Sequence, residues 1–206
     1  MREKSTLAII IGILLNVQAS AADWPQWRGP NRDGLWQEKG IVQKFNAPQL
    51  PVRWRAEIAN GYSGPTVADG RVYVTDRLTT PTQLERVHCF DAMTGRKIWS
   101  YSYECKYEGV DHTDGPRASV TIDDRRAYSL GTMGHLFCFN AVNGEVLWSK
   151  DLNAEYKIKM PTWGIAASPL VQNDLVIVHI GGQDNACIIA FDKVTGKEKW
   201  RALNDS

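Results

Sequence analysis

Phe90–Trp99 reads FDAMTGRKIW, Phe139–Trp148 reads FNAVNGEVLW and Phe191–Trp200 reads FDKVTGKEKW. The three stretches share the pattern Phe-[Asp/Asn]-x-x-[Thr/Asn]-Gly-x-x-x-Trp, which recurs about every 50 residues and lies within the range of known repeat units. A pattern that returns at this interval is typical of repeat architectures. The chain is therefore predicted to be a repeat protein whose units each end on a turn followed by a tryptophan.

The residue types of the motif have stereochemical reasons. Asp or Asn accepts hydrogen bonds from downstream backbone N–H groups in an Asx-turn, and Gly adopts the positive φ that other residues resist. Trp then buries a large ring at a fixed distance from the turn. Three copies of one motif favour a packing role over a single functional site. The predicted structural residues are Asp91, Gly95, Trp99, Asn140, Gly144, Trp148, Asp192, Gly196 and Trp200.

An upstream half-repeat precedes each motif and consists of two short strand-like runs joined by a polar turn. The turns are Asp69-Gly70, Asp123-Asp124 and Asn173-Asp174, and Asp-Gly between such runs strongly favours a hairpin. Each unit thus contains four predicted strands, the content of a propeller blade. No unit has an apolar period of 3.6 residues, which excludes helical repeats. The predicted fold class is all-β, a β-propeller with units at about 61–104, 112–152 and 163–203.

The pattern Phe-Asp-x-x-Thr-Gly-x-x-x-Trp resembles the tryptophan-docking motif of pyrroloquinoline-quinone-like (PQQ-like, quinoprotein-type) β-propellers. The resemblance implies that each Trp lies between neighbouring blades and ties them together. Trp54 looks like part of a fourth strand, at about 51–60, of a blade whose other strands lie elsewhere. The family usually has eight blades, so the resemblance implies that residues 51–206 form three to four blades of a fragment. Missing C-terminal blades or another chain would complete the ring.

The first 21 residues have the three parts of a secretory signal peptide: a basic start, the apolar run Leu7–Leu15 and the small-x-small site Ala19-Ser20-Ala21. The apolar run is too short for a spanning helix, which needs roughly 20 apolar residues, although a signal anchor remains the alternative. We expect a bacterial protein exported to the periplasm or secreted, with no transmembrane segment after cleavage. Residues 22–50 are rich in Pro and Gly and predict an irregular segment that packs on the propeller. Its tryptophans, expected to be buried or to stack on a ligand, are Trp24, Trp27 and Trp36.

The cysteines have neither metal-site nor disulfide-framework spacing. Cys89 and Cys138 each precede the turn-opening residue by two positions, and Ala190 fills the same place in the third unit. A position that accepts both Cys and Ala is typical of a small buried strand site. We therefore favour free thiols in the core over disulfides, although the exported location permits disulfides.

The connections between units are the predicted ligand face, because loops on a rigid scaffold carry function. The candidate residues are Tyr62, Arg117 and Trp163, and packing between blades is the alternative role for them. Asp111-His112-Thr113-Asp114 offers a histidine and two carboxylates for a metal or for proton transfer, although a plain connecting loop is the simpler interpretation. The net charge of +1 gives no argument for nucleic acid.

The predicted function is that of a non-catalytic exported propeller, a scaffold or binding module for a protein or carbohydrate ligand. No nucleophile, acid–base pair or ligand cluster converges in the sequence, and no catalytic, cofactor or metal residue is assigned. The repeat is also similar to the scaffold propeller of the bacterial outer-membrane barrel assembly machinery, which is normally a lipoprotein, whereas the first cysteine here is Cys89. The alternative is a PQQ- and calcium-dependent alcohol or sugar dehydrogenase, although the adjacent cysteines that often cover the quinone in that family are missing from the sequence.

Overall fold

A computed structural model of the protein describes residues 22–204. The predicted signal peptide lies outside these residues. The described part contains twelve strands and one short helix. The elements are β1 (Thr66–Ala68), β2 (Arg71–Leu78), β3 (Leu84–Asp91), β4 (Lys97–Glu104), β5 (Thr121–Asp123), β6 (Arg126–Leu130), β7 (His135–Asn140), β8 (Val146–Asp151), α1 (Leu152–Tyr156), β9 (Leu170–Gln172), β10 (Leu175–His179), β11 (Ile188–Asp192) and β12 (Glu198–Ala202).

The strands form three separate four-stranded sheets, each antiparallel and each in sequence order: β1–β4, β5–β8 and β9–β12. The fourth strand of each blade has one extra residue (Ile98, Leu147 and Lys199) opposite the step from the third strand's Cys89, Cys138 or Ala190 to the following Phe. Such a bulge bends the strand and increases its twist. The all-β fold predicted from the repeat is confirmed, and each sheet is one blade.

The turn before each fourth strand is held by its own side chains. Asp91 Oδ1 accepts hydrogen bonds from the backbone N–H groups of Met93 (3.1 Å) and Thr94 (2.8 Å) and from the Thr94 hydroxyl (2.8 Å). Asp192 makes the same three contacts in the third blade, whereas Asn140 makes one, to the N–H of Val142. The glycines of all three turns have φ between +68° and +77°. The turn is therefore a local structure that each unit forms from its own sequence.

Two apolar cores lie between consecutive blades. The first contains Tyr73, Cys89 and Trp99 from the first blade together with Phe137 and Phe139 from the second. The second core joins the other face of the second blade to β10 and β11 of the third blade. The middle sheet, β5–β8, is thus covered on both faces, which explains why its strands carry apolar residues on both sides.

The four cysteines are buried and free, as expected. Cys89, Cys138 and Ala190 are fully buried at equivalent places in the third strand of each blade. Burial raises the pKa of the Cys89 thiol to about 11 and that of Cys138 to about 12. These thiols are core side chains rather than reactive groups, because the thiolate is the nucleophilic form.

Residues 51–59 differ from the lone strand expected at 51–60, because they form no ladder. The residue that follows them, Asn60, makes a single bridge with Arg77. A strand is defined by hydrogen bonds to a neighbour, and the described residues offer none beside this segment. Trp54 nevertheless lies where a blade's fourth-strand tryptophan lies, packed on the turn of the first blade.

Residues 22–50 are irregular and lie against the propeller through their first part. Trp24 pairs with Val67 of β1 through two backbone hydrogen bonds of 2.7 and 3.1 Å, and its ring packs on Gly29. Trp27 and Trp36 are 61% and 60% exposed, so the expectation that all three tryptophans are buried is wrong. The segment docks through the backbone of Trp24 and Pro25 and the side chain of Arg32, and these two rings remain in solvent. No helix within residues 22–204 is long and apolar enough to span a membrane.

Candidate ligand-binding face

The connections that lead into β1, β5 and β9 lie side by side at one end of the blades. These first strands contact each other in order, β1 with β5 and β5 with β9. The Thr66 hydroxyl donates to the Val120 carbonyl and the Thr121 hydroxyl donates to the Pro169 carbonyl, both at 2.6 Å. The backbone N–H of Tyr62 likewise bonds the Pro116 carbonyl at 2.8 Å. Consecutive units therefore hold their entry connections in fixed positions.

The N-terminal segment crosses all three first strands. Besides the Trp24 pairing with β1, the Pro25 carbonyl accepts a hydrogen bond of 2.8 Å from Ile122 of β5. Arg32 donates to the Val171 carbonyl of β9 at 2.5 Å and to the Gln172 side chain at 3.2 Å. These contacts cover the inner edge of the three blades and make residues 26–32 one wall of a cleft.

Arg117 anchors the connection between the first and second blades. Its guanidinium donates to the carbonyls of Gly115 (2.6 Å), Asp111 (3.0 Å) and His112 (2.5 Å) and to the hydroxyl of Thr132 (3.3 Å). Carbonyl partners leave the positive charge of the guanidinium in place, whereas a carboxylate would neutralise it. Arg117 thus fixes the loop that contains Asp111–Asp114 and presents a charge beside it.

Tyr62 lies next to Arg117. The guanidinium carbon of Arg117 is 5.3 Å from the centre of the Tyr62 ring, within the range of a cation–π contact. The Tyr62 hydroxyl donates to Asp114 at 2.9 Å, and this hydrogen bond to a carboxylate raises the pKa of Tyr62. The ring remains 48% exposed. Two of the three predicted ligand-face residues are therefore in contact with each other.

Trp163 lies on the neighbouring connection and stacks on His112. The two rings are 4.5 Å apart and inclined by 15°, while 58% of Trp163 is exposed. His112 is thus one side of an aromatic stack within the connecting loop. Among residues 22–204 no group of three or more His, Cys, Asp or Glu side chains is arranged to hold a metal ion.

Two adjoining clefts open at this end of the blades. The first, which we name the arginine cleft, has a volume of about 560 Å³. It is lined by Gln26, Trp27, Arg28, Arg32, Tyr62, Arg117 and residues 166–170. The second, which we name the Trp163 cleft, measures about 540 Å³ and is lined by residues 159–167 and 179–181. Ala166 and Ala167 line both clefts, so the predicted face is one recessed surface divided by this short segment.

A buried carboxylate that the sequence interpretation missed supports the arginine cleft from behind. Glu85 is fully buried and accepts hydrogen bonds from the hydroxyls of Tyr103 and Tyr107 and from the Thr132 N–H (3.1 Å). Thr132 in turn contacts Arg117. The period-two pattern of β3 places Glu85 on the same face as Val87 and Cys89, which was the available signal for its burial.

A second buried group ties residues 51–60 to the first blade. Asp76 is completely buried and contacts Arg86 (2.5 Å), His88 (3.0 Å) and the backbone N–H of Ala59 (2.6 Å). Burial alone would raise the pKa of Asp76, but hydrogen bonds from His88 and Arg86 hold it well below its usual range. Ser100 Oγ lies 2.9 Å from the other ring nitrogen of His88. The network aligns strands β2, β3 and β4 through side chains.

The motif tryptophans each dock on the turn of the next unit. Trp54 packs on Gly95 and donates to the Ala92 carbonyl at 2.9 Å. Trp99 stands in the same relation to Gly144 and Trp148 to Gly196, with indole hydrogen bonds of 3.0 and 3.2 Å. A Cβ on any of the three glycines would lie 2.6 to 2.8 Å from the indole ring. Trp200 has no such turn among the described residues and is 41% exposed.

The three four-stranded blades, together with the tryptophan-to-turn contacts between them, identify a β-propeller repeat protein. A family model described as the outer membrane protein assembly factor BamB matches residues 37–115 and 83–206. The chain therefore belongs to this family of PQQ-like propeller repeats. The resemblance inferred from the turn-and-tryptophan motif is confirmed.

The individual proteins to which the chain is similar include alcohol dehydrogenases. Quinohemoprotein alcohol dehydrogenase ADH-IIG of Pseudomonas putida is 29% identical over 168 residues, which are 78% of this chain and 22% of that protein. The crystal structure of the quinohemoprotein alcohol dehydrogenase of Comamonas testosteroni has a TM-score of 0.62 at 25% identity, covering 89% of this chain and 28% of that one. A europium-containing methanol dehydrogenase is alike in fold, with a TM-score of 0.54 at 19% identity, over 74% of this chain and 26% of its own. The chain thus spans about a quarter of the length of these enzymes.

The described residues do not fit a calcium–quinone pair at the inner edge of the blades. The edge strands β1, β5 and β9 are covered there by residues of the chain's own N-terminal segment. The polar side chains of β1 and β5 are engaged elsewhere: Thr66 and Thr121 donate to carbonyls just before β5 and β9, and Asp123 accepts from Lys193. We therefore derive no chemistry through a quinone from these residues.

Proposed function

We propose that this protein is a non-catalytic, exported PQQ-like propeller that acts as a binding or scaffold module. Its ligand or partner binds on the face formed by the connections into β1, β5 and β9, with Tyr62, Arg117 and Trp163 as contact residues. The motif residues of the blade seams, including Trp54 and Trp200, serve the packing of the scaffold. Residues 1–21 direct export to the periplasm or the medium, and residues 22–50 form part of the binding face.

The observation that carries this proposal is the pair of adjoining clefts bordered by exposed aromatic rings. Trp163 and Tyr62 are held on connections that the blades fix in place, yet about half of each ring is open to solvent. Exposed aromatic side chains on a rigid scaffold supply contact area at little entropic cost. Concave sites with apolar walls and a few polar groups are typical binding sites.

The test is a binding screen of the full-length protein on arrays of glycans and peptides, repeated with two matched variants. Trp163→Ala removes a ring from the face, whereas Trp36→Ala removes an equally exposed ring that lines neither cleft. The proposal expects ligands whose binding is lost in Trp163→Ala and kept in Trp36→Ala. The proposal would be contradicted if binding were unchanged in Trp163→Ala, or if no glycan or peptide on the arrays were bound.

A second candidate function is favoured by the 29% identity to a quinohemoprotein alcohol dehydrogenase. In this case the chain would take part in PQQ- and calcium-dependent oxidation of an alcohol or sugar. The test incubates the full-length protein with PQQ, Ca²⁺, a primary alcohol and a redox dye. Stoichiometric quinone absorbance on the purified protein together with alcohol-dependent dye reduction would overturn the non-catalytic proposal, which expects neither.

A further inference from the structure

We propose that the arginine cleft binds an acidic carbohydrate, with the carboxylate of a uronic acid among its guanidinium groups. This inference rests on the proposed binding function and specifies the class of ligand. Three arginines line the cleft, Arg28, Arg32 and Arg117, and no Asp or Glu does. Within residues 22–204 none of the three arginines has a carboxylate partner within ion-pair distance.

Two of the three charges are fixed in place before any ligand arrives. Arg32 bonds the Gln26 and Gln172 side chains and the Val171 carbonyl, and Arg117 bonds three carbonyls and a hydroxyl. Binding of an anion therefore loses little side-chain entropy at either guanidinium, because its position is already fixed. The cleft is therefore a preorganised positive site, although the protein as a whole carries a net charge of only +1.

Arg28 is the arginine whose donors are available to bind the ligand. It is exposed, and within residues 22–204 its side chain makes one hydrogen bond, a long one of 3.3 Å to the Asp33 carbonyl. Most of its five donors are therefore available for a carboxylate, which an arginine fork binds in a bidentate manner. Two acidic residues are near but do not line the cleft: Asp114 accepts a hydrogen bond from the Tyr62 hydroxyl, and Asp33, whose carbonyl Arg28 contacts, accepts one from the Leu35 N–H on its carboxylate.

The walls of the cleft favour a sugar ring over an aromatic acid. Trp27 is 61% and Tyr62 is 48% exposed, and both line the cleft, so each side chain offers accessible aromatic surface to a ligand there. A pyranose packs its C–H face on the negative face of such a ring and leaves its hydroxyls in water. An aromatic acid is apolar on both faces and gains most from a closed pocket that desolvates both. Ala166, Ala167 and Pro169 keep the opposite wall small and apolar.

The test measures binding of trigalacturonate to the full-length protein by isothermal titration calorimetry. The fully methyl-esterified trimer is the matched neutral ligand, and phthalate represents an aromatic acid. We expect the ester to bind at least about tenfold more weakly, the loss of one charge-assisted contact. Phthalate keeps its carboxylates but has no pyranose ring for Trp27 and Tyr62, so it should also bind more weakly than trigalacturonate. Binding of trigalacturonate should also weaken as salt is raised from about 0.01 to about 1 M, where the Debye length falls from about 30 to about 3 Å.

Arg28→Gln is the central variant, and Arg55→Gln, at an exposed position outside the cleft, is its control. Arg28→Gln should weaken trigalacturonate binding about tenfold, whereas Arg55→Gln should leave it unchanged. Trp27→Ala should weaken it as well, and Trp36→Ala should not. Equal loss in Arg28→Gln and Arg55→Gln would overturn the site, because it would indicate non-specific charge attraction.

The inference and the proposed function fail in different ways. Equal binding of the ester and the acid, with loss in Trp27→Ala, would overturn the acidic class of ligand and leave a binding face. Tighter binding of phthalate than of trigalacturonate would overturn the sugar. Absence of binding by all three probes would overturn the inference alone if the array ligands still depend on Trp163, and both proposals if no array ligand is found.

Discussion

The contact between Trp99 and Gly144 allows the strength of a blade seam to be predicted. Gly144 has a φ of +77°, and a Cβ placed on it would lie 2.6 Å from Cδ2 and 2.8 Å from Cε3 of the Trp99 indole. Trp99 is only 8% exposed and donates to the Ala141 carbonyl at 3.0 Å. The substitution Gly144→Ala therefore forces either the ring out of its place or the turn out of its conformation.

Backbone strain and steric overlap together determine how much stability Gly144→Ala should lose. Holding an L-residue in the left-handed region costs about 1–2 kcal/mol. Forcing a methyl group into a well-packed site costs about 1–3 kcal/mol more. Gly144→Ala should thus lower the free energy of unfolding by about 2–5 kcal/mol. This is a large share of the roughly 5–15 kcal/mol that stabilises an ordinary domain.

Gly70→Ala separates the two terms. Gly70 has a φ of +68° in the turn between β1 and β2, but nothing lies within 4 Å of the Cβ it would carry. The change in unfolding free energy of Gly70→Ala therefore contains the backbone strain and the reduced entropy of the unfolded chain. It contains no contribution from a steric clash. Equilibrium urea unfolding of both variants, followed by far-UV circular dichroism, gives the difference between them. If Gly144→Ala costs no more than Gly70→Ala, the seam does not depend on the close approach of the indole ring.

Three further predictions concern the turns and the cores. Hydrogen bonds from the backbone and hydroxyl of Thr195 lower the pKa of Asp192 to about 2, below its unfolded value of about 3.9. Its stabilising contribution is therefore present above about pH 4 and lost as the pH falls through about 2, so Asp192→Asn should flatten that part of the pH profile of urea unfolding. Glu85→Ala should cost at least about 3 kcal/mol in the same assay, because two tyrosine hydroxyls and a backbone N–H lose their acceptor, whereas Glu85→Gln should cost less; equal losses would contradict the network. Cys89 and Cys138, buried with raised pKa, should not react with a thiol reagent at pH 8 until urea unfolds the chain, and rapid native labelling would contradict their burial.

Much of the fold could be predicted because its signals are local. The Asx-turn, the glycine at positive φ and the strand alternation each involve a few neighbouring residues, and all three copies have the predicted form. The lone strand at 51–60 could not be judged in this way, since strand pairing depends on a neighbour that the segment itself does not contain. The exposure of Trp27 and Trp36 was also misjudged, because composition indicates how much burial would stabilise a ring but not whether a surface is available to cover it.

The candidate site was only partly predictable. Tyr62, Arg117 and Trp163 were predicted for the ligand face because they lie in the connections before successive units, and in the structure they border the two adjoining clefts. Arg28 and Arg32 were not, since nothing in the irregular N-terminal segment indicates which strand it crosses. Glu85 was missed because a carboxylate within a strand normally faces solvent, and its burial depends on partners from the connection and from the second blade.

The sequence by itself determined the repeat, the turn chemistry and membership of the PQQ-like propeller family, because the short-range hydrogen bonds and the strand periodicity depend only on residues within each unit. Only the tertiary structure decided that the N-terminal segment covers β1, β5 and β9 and that its arginines meet Arg117 and Tyr62. These residues lie far apart in the chain, and they come together because each blade packs on the next one and holds its entry connection at the same end.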